Sequence, residues 1–169
     1  FDVVHELIEA CETIQERRED CTIKFRDMKI NHIMSSEMKF EELILESDPN
    51  FIHRVFLNVL DNGAKYGNGL VTADVKQNNS FLEIIIWNDG EPISQQALDK
   101  LFVEFYQQGK RTSGSYGIGL ASVRKLVQNL CGRIKVQPET NGTTFTIVLP
   151  CQWMKTARVT GNSNQQVDS

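Results

Sequence analysis

The sequence predicts an α+β fold: two layers, with a mixed sheet carrying its helices on one face. Three observations predict it. Strand-like runs occur as neighbours separated by short polar turns, so they pair locally. Helical periodicities fall between them at uneven intervals, which argues against a strictly alternating parallel architecture. The chain has 169 residues, 40% hydrophobic and 24% charged, enough for one domain with a core that needs neither disulfides nor a structural metal.

Taken in order, Val4, Leu7, Ile8, Cys11 and Ile14 recur at helical spacing and predict an opening helix, stopped by the solvated charges of Glu16-Arg17-Arg18-Glu19-Asp20. Cys21 to Phe25 and Glu42 to Glu46 read as short strands, with no clear signal between them. Ser47-Asp48-Pro49 is a helix start, a capping side chain followed by proline in the first turn, and Gly67-Asn68-Gly69 is its stop; the helix spans Pro49 to Tyr66. Leu70 to Lys76 and Phe81 to Trp87 are strands around a turn at Gln77-Asn78-Asn79-Ser80. Ser94 caps a short helix to about Leu101, and Gln107 to Ser115 is a polar loop. Tyr116 to Leu130 is a helix closed by Gly132. Arg133 to Val136 and Thr143 to Leu149 are the closing strands, around a turn at Glu139-Thr140-Asn141-Gly142. One domain over 1–150 is expected, followed by a disordered polar tail over 151–169.

Lysine and arginine number 18 against 22 acidic residues, a formal charge of −4. That balance argues against a general nucleic-acid binder, which carries a basic patch, but leaves room for a local pocket for a small anion. Cys11, Cys21, Cys131 and Cys151 form no C-x-x-C pair and no zinc spacing with histidine, so they read as reduced thiols in a cytosolic setting. No apolar run approaches the roughly 20 residues that cross a bilayer, and no secretory leader is visible. The domain is expected in the cytoplasm without membrane contact. The opening at Phe1 reads as the middle of a pattern, consistent with a longer parent that is free to be membrane-anchored.

Three stretches carry chemistry. In the helix from Pro49, Ile52, Val55, Phe56, Val59 and Leu60 form the core face, and Asn58, Asn62 and Lys65 stand at i, i+4 and i+7. At about 100° per residue this polar stripe edges the core. Asparagine oxygens are hard ligands suited to Mg²⁺, and lysine is a point charge suited to phosphate. In the second stretch, Ile84-Ile85-Ile86-Trp87 runs into Asn88-Asp89-Gly90-Glu91-Pro92-Ile93. Asn88 has the donor and acceptor to meet an adenine edge in two ways, and Gly90 lets backbone approach a flat base. The third is Gly114-Ser115-Tyr116-Gly117-Ile118-Gly119-Leu120, a glycine-rich loop entering a helix, where backbone amides favour phosphate. It is neither a P-loop nor a dinucleotide fingerprint, for both the spacing and a preceding strand are missing. Lys110 and Arg111 lie just upstream, within reach of phosphates or simply solvated. Each stretch alone also fits plainer chemistry: a solvated helix face, a strand-ending turn, a loop.

Order and spacing together say more. The chain resembles the catalytic ATP-binding domain of sensor histidine kinases, in the group that also holds DNA gyrase, Hsp90 and MutL ATPases. Leu57-Asn58-Val59-Leu60-Asp61-Asn62-Gly63-Ala64-Lys65-Tyr66 resembles the N box and Asn88 to Ile93 the G1 box. Leu101-Phe102-Val103-Glu104-Phe105-Tyr106 resembles the F box, Gly114 to Leu120 the G2 box, and Gly142-Thr143-Thr144-Phe145 through Pro150 the closing strand. The likeness implies the Bergerat-type ATP-binding fold, with ATP and Mg²⁺ as cofactors.

It also implies roles. Asn62 would hold Mg²⁺, with Asn58 helping at metal and phosphates. Lys65 would contact phosphate and, with Asn58, serve the transfer; Tyr66 would flank the nucleotide. Asn88, Gly90 and Ile93 would form the base pocket, with Thr143 supporting it through water. Phe102 and Phe105 would anchor a lid, Lys110 and Arg111 would reach phosphates from it, and Tyr116, Gly117, Ile118, Gly119 and Leu120 would wrap the nucleotide. Three positions depart from the family pattern: Asn88 stands where most members carry aspartate, Pro92 replaces the second G1 glycine, and Ser115 replaces a G2 glycine. None removes the implied metal or phosphate ligands.

His5-Glu6 invites reading as a phosphoacceptor box, but Ile8-Glu9-Ala10 does not continue that pattern and Asn58 follows too soon. His32 lies in an irregular stretch, and His53, on the side of its helix away from Asn58, reads as structural. The acceptor histidine is expected on a dimerisation domain upstream in the parent chain, and a response-regulator receiver domain is the indirect partner. The expected activity is γ-phosphoryl transfer from Mg²⁺·ATP to that histidine. Phosphoryl transfer asks a protein mainly for positioning and charge neutralisation. A nucleotide-gated or degenerate interaction module without turnover stays open as the second reading. A gyrase-type clamp is disfavoured by the short lid and the lack of a transducer domain.

Overall fold

The structure, a computed structural model, describes residues 1–36, 38–102 and 119–151. Helix α1 (Val3–Arg17) starts at Asp2, whose Oδ1 accepts from the Val4 N–H at 3.0 Å and from the Leu43 N–H at 2.9 Å. Strands β1 (Thr22–Phe25) and β2 (Met28–Lys29) and helix α2 (Ile30–Met34) follow. Helix α3 (Pro49–Tyr66) has the predicted bounds, with Asp48 accepting from the Asn50 N–H at 2.9 Å as cap. Then come β3 (Leu70–Asn78), β4 (Phe81–Asp89), α4 (Gln95–Leu98), α5 (Gly119–Asn129), β5 (Arg133–Glu139) and β6 (Gly142–Pro150).

Six strands form one sheet in the order β2-β1-β3-β4-β6-β5. Only β1 and β3 run parallel. A parallel pair needs a crossover, and the chain between them carries α3. The predicted α+β class with a mixed sheet holds. Register explains why helices cover one face. Val71, Ala73 and Val75 stand opposite Asn88, Ile86 and Ile84, which stand in turn opposite Thr143, Phe145 and Ile147. All nine are buried, and the residues alternating with them on β3, β4 and β6 are only partly so. Period-2 alternation therefore makes one continuous buried surface, apolar except at Asn88 and Thr143. Against it pack Leu7, Cys11 and Ile14 of α1, Ile52, Val55, Phe56, Val59 and Leu60 of α3, and Val123 and Val127 of α5. Each fully buried large side chain contributes about 1.5–3 kcal/mol. The four cysteines are free thiols. Burial, with Glu12 beside it, pushes the Cys11 thiol well above its ordinary range.

Several boundaries differ from expectation. Glu42 to Glu46 is not a strand: it makes a single bridge, Asp2 to Ile44. Its alternation is real, since Leu43 and Leu45 are buried and Ile44 is 55% exposed. The segment is held by the Val3 N–H to Leu43 O and Leu45 N–H to Phe1 O bonds, 2.8 and 2.9 Å, and the chain opposite it turns into helix at Val3. The β3–β4 turn is only Asn79-Ser80, with Asn79 at φ 54°, because pairing runs out to Asn78 and Phe81. Helix α4 stops at Leu98 and not at Leu101, passing into turns. The β2–α2 unit was not foreseen. At the far end Cys151, the first residue of the tail expected over 151–169, is buried and its N–H bonds Ser80 O at 2.8 Å; 152–169 lie outside the described residues.

Candidate nucleotide-binding site

The carboxyl end of β4 and the start of β6 form one wall. Asn88 and Thr143 face each other across the two strands and are the only buried polar side chains among the described residues, 4% and 5% exposed. Such groups are buried only with partners. The Asn88 Nδ2 donates to Asp89 O at 2.9 Å. The Thr143 Oγ1 accepts the Ile93 N–H at 3.1 Å, fastening the loop after β4 to β6. Strand β6 must approach closely here: a Cβ on Gly142 would overlap Asn88 O and lie 2.7 Å from Trp87 Nε1. Gly90 turns the loop at φ 105°, a conformation side chains rarely adopt.

Helix α3 supplies the second wall. Its Gly63 packs against Asn88 and Val71, where an added Cβ would sit 3.3 Å from the Asn88 Cβ. This contact sets the N-box stripe beside the buried asparagine. Asn58, Asn62 and Lys65 are all half-buried, as a stripe edging the core should be. The Asn58 Nδ2 bonds Arg54 O at 2.8 Å, one turn back. Gly119, the first described residue of α5, is so close that a Cβ there would meet Asn58 Oδ1 at 2.8 Å. The Lys65 ammonium lies 5.1 Å from the centroid of Tyr66, which is 43% exposed. Leu120 is half-buried against the core. Phe102 receives the Arg124 guanidinium at 5.6 Å from its ring centroid. Phe105, Lys110, Arg111, Tyr116, Gly117 and Ile118, with Gly114 and Ser115, lie outside the described residues.

Asp89 is a positioning residue that the sequence reading left unassigned. Its Oδ1 accepts from the Asn68 N–H at 2.8 Å and the Leu70 N–H at 3.0 Å, binding the turn after α3 to the end of β4. Close approach at Gly67, where a Cβ would lie 3.1 Å from that oxygen, belongs to the same clamp. An aspartate in Asn-Asp-Gly looks like turn chemistry for its own loop; the turn it serves is 19 to 21 residues away in sequence. The carboxylate is also felt at Cys21, whose thiol is raised by burial first and then by Asp20 and Asp89, against a lowering by Arg18. A second tie, Arg18 to Asp61 with N–O distances of 2.8 and 3.2 Å, joins the end of α1 to the N-box helix.

A buried amide and hydroxyl at the strand ends, a polar helix stripe beside them and a second helix beginning against that stripe define an ATPase domain of the histidine kinase–gyrase–HSP90 kind. The sequence agrees: residues 47–152 match the family model described as histidine kinase-, DNA gyrase B-, and HSP90-like ATPase, and the chain belongs to that family. Sensor protein kinase WalK of Staphylococcus haemolyticus is 36% identical over 124 residues, 69% of this chain and 20% of WalK. Sensor histidine kinase CssS of Bacillus subtilis is 28% identical over 110 residues, 65% of this chain and 24% of CssS. The chain thus spans about a fifth to a quarter of these relatives' length. Among solved structures, the mycobacterial sensor histidine kinase MprB superposes with a TM-score of 0.73 at 25% identity, covering 91% of this chain and 99% of that one. A nucleotide-free form of the catalytic domain of histidine kinase ThkA gives 0.70 at 25%, covering 89% and 93%. No helix among the described residues is long and apolar enough to cross a membrane.

Proposed function

We propose that this chain is the catalytic domain of a sensor histidine kinase, that residues 1–150 are its folded unit, and that it binds Mg²⁺·ATP and passes the γ-phosphoryl group to a histidine on a separate dimerisation domain. The carrying observation is the junction of the two walls, where Gly63 seats the N-box helix directly against Asn88. It brings the buried Asn88 beside the stripe of Asn58, Asn62 and Lys65, which supports reading the one as the adenine edge and the other as the metal and phosphate ligands. Asn88 donates through Nδ2 to the Asp89 carbonyl, which orients Oδ1 as an acceptor for the adenine amine. In that state asparagine does what aspartate does at this edge, by a single contact in place of the two-way contact its amide would permit. Gly90 and Ile93 line the base, with Thr143 holding the Ile93 backbone in place. Asn62 supplies an oxygen to Mg²⁺, aided by Asn58, and the ion neutralises phosphate charge. Lys65 and the start of α5 at Gly119 and Leu120 meet the phosphates, Tyr66 flanks the nucleotide, and Phe105, Lys110, Arg111, Tyr116, Gly117 and Ile118 take the nucleotide-binding roles that the family likeness implies. With the acceptor histidine on another domain, the chain alone binds ATP and turns over poorly. A response regulator takes the phosphoryl group next. The relatives' names, sensor kinases throughout, support the reading.

Calorimetry with a non-hydrolysable ATP analogue, with and without Mg²⁺, tests it. Micromolar binding that weakens without the metal is expected. Binding no tighter than millimolar in both conditions would overturn it.

A further inference from the structure

The helix face turned away from the nucleotide stripe carries a second group of ligand atoms. Glu6 and Glu9 of α1 and His53 of α3 each offer one, and the three lie within 4.8 Å of one another. His53 Nδ1 and Glu6 Oε2 are 3.2 Å apart. Two ligands on a tetrahedral zinc ion, with bonds of about 2.0–2.2 Å, stand roughly 3.3–3.6 Å apart. One edge of such a site is therefore already close to the required separation. Its two side chains are 30% and 16% exposed. They project from helices whose packing is fixed underneath by Leu7, Cys11, Val55 and Phe56. Glu9 is the open arm: its side chain is 47% exposed, and its carboxylate offers a ligand atom within 4.8 Å of the other two. His5, at i−4 on the same helix, stands 3.2 Å from Glu9 Oε1 and steers that carboxylate from outside, as an outer-shell partner does.

We propose that Glu6, Glu9 and His53 bind a divalent transition-metal ion of the zinc class across α1 and α3, with water completing the coordination. One imidazole with two carboxylates is a borderline donor set, suited to Zn²⁺ and poor for Mg²⁺ or Ca²⁺, which want oxygens alone. The site is separate from the ATP pocket. Because it joins the first helix to the N-box helix, occupancy holds α1 in place.

Calorimetry with Zn²⁺ on the chelator-treated chain tests the site, with Co²⁺ absorption as the probe of ligand type. One ion per chain is expected, with a Co²⁺ spectrum free of thiolate charge-transfer bands and no competition from millimolar Mg²⁺. Zn²⁺ raises the melting temperature. His53→Gln and Glu9→Gln each weaken Zn²⁺ binding by about tenfold or more, while Cys131→Ser leaves it unchanged. Glu9 is a surface residue, so its variant stays folded and decides the matter should His53→Gln melt early. No Zn²⁺ binding, binding that survives Glu9→Gln, or binding lost with Cys131→Ser overturns the site and leaves the residues as two ion pairs. Affinity for the ATP analogue in these variants is expected to match the wild type, so either site can fail without the other.

Discussion

The two walls of the proposed nucleotide slot are built by opposite means. At the base end, Asn88 and Thr143 are almost wholly buried and locked by backbone partners, and Gly142 and Gly90 admit no larger residue without displacement or strain. At the end assigned to phosphate, Asn58, Asn62 and Lys65 are half-exposed on a helix whose stability comes from its other face. Recognition of a flat, neutral base calls for a preorganised edge, because a misplaced buried donor or acceptor costs about 1–3 kcal/mol. Ligands for a hydrated ion and a mobile phosphate chain are better left free to adjust. Variation should therefore damage the fold when it falls at the base end and affinity alone when it falls on the stripe.

The strongest challenge to that contrast is Gly142→Ala. Its Cβ would collide with Asn88 O and crowd the Trp87 ring, so β6 must shift. A loss of about 1–3 kcal/mol in urea unfolding is expected, with weakened nucleotide binding; unchanged stability would mean the base end is softer than its hydrogen bonds imply. Next is Asp89→Ala, which removes both acceptances from Asn68 and Leu70. A charge-assisted bond is worth about 1.5–3 kcal/mol, and a loss near the low end of that range is expected for this partly exposed carboxylate, with Asp89→Asn recovering part of it. Asn62→Ala is the converse case. Unfolding should hardly change, while Mg²⁺-dependent affinity for the ATP analogue falls about tenfold, or roughly 1.4 kcal/mol; retained Mg²⁺ dependence would remove Asn62 from the metal.

The smallest effect lies outside the slot and checks that the contrast is local. Glu12 sits partly buried on α1, and its pKa is raised above 4.5 by burial first, then by Glu9 and Glu16, against a lowering by His5. A carboxyl with a raised folded pKa favours the fold while protonated. Its contribution is complete below the unfolded value and is lost as pH rises through the folded one. Glu12→Gln should therefore gain stability relative to the wild type as pH climbs from 4 to 7, with no change in nucleotide affinity.

Much of this was legible in the chain. The α3 bounds followed from Asp48-Pro49 and Gly67, and the stripe of Asn58, Asn62 and Lys65 from helical spacing, because both depend on neighbours within a few residues. The alternation of Leu43, Ile44 and Leu45 was also read correctly, yet it produced one bridge in place of a strand, since the chain opposite it turns into α1 at Val3. Asp89 shows the same limit at the site: its residue type announced a turn, and its bonds went to a different one. The pairing of His53 with Glu6 spans 47 residues and left no mark in either segment.

By itself, then, the sequence determined most of the longer elements, the apolar faces and the family, because periodicity, caps and turn residues act over short stretches of chain. Only the tertiary structure decided which polar side chains meet. Those meetings depend on strand register and on how closely one backbone can approach another, and both are settled when the layers pack.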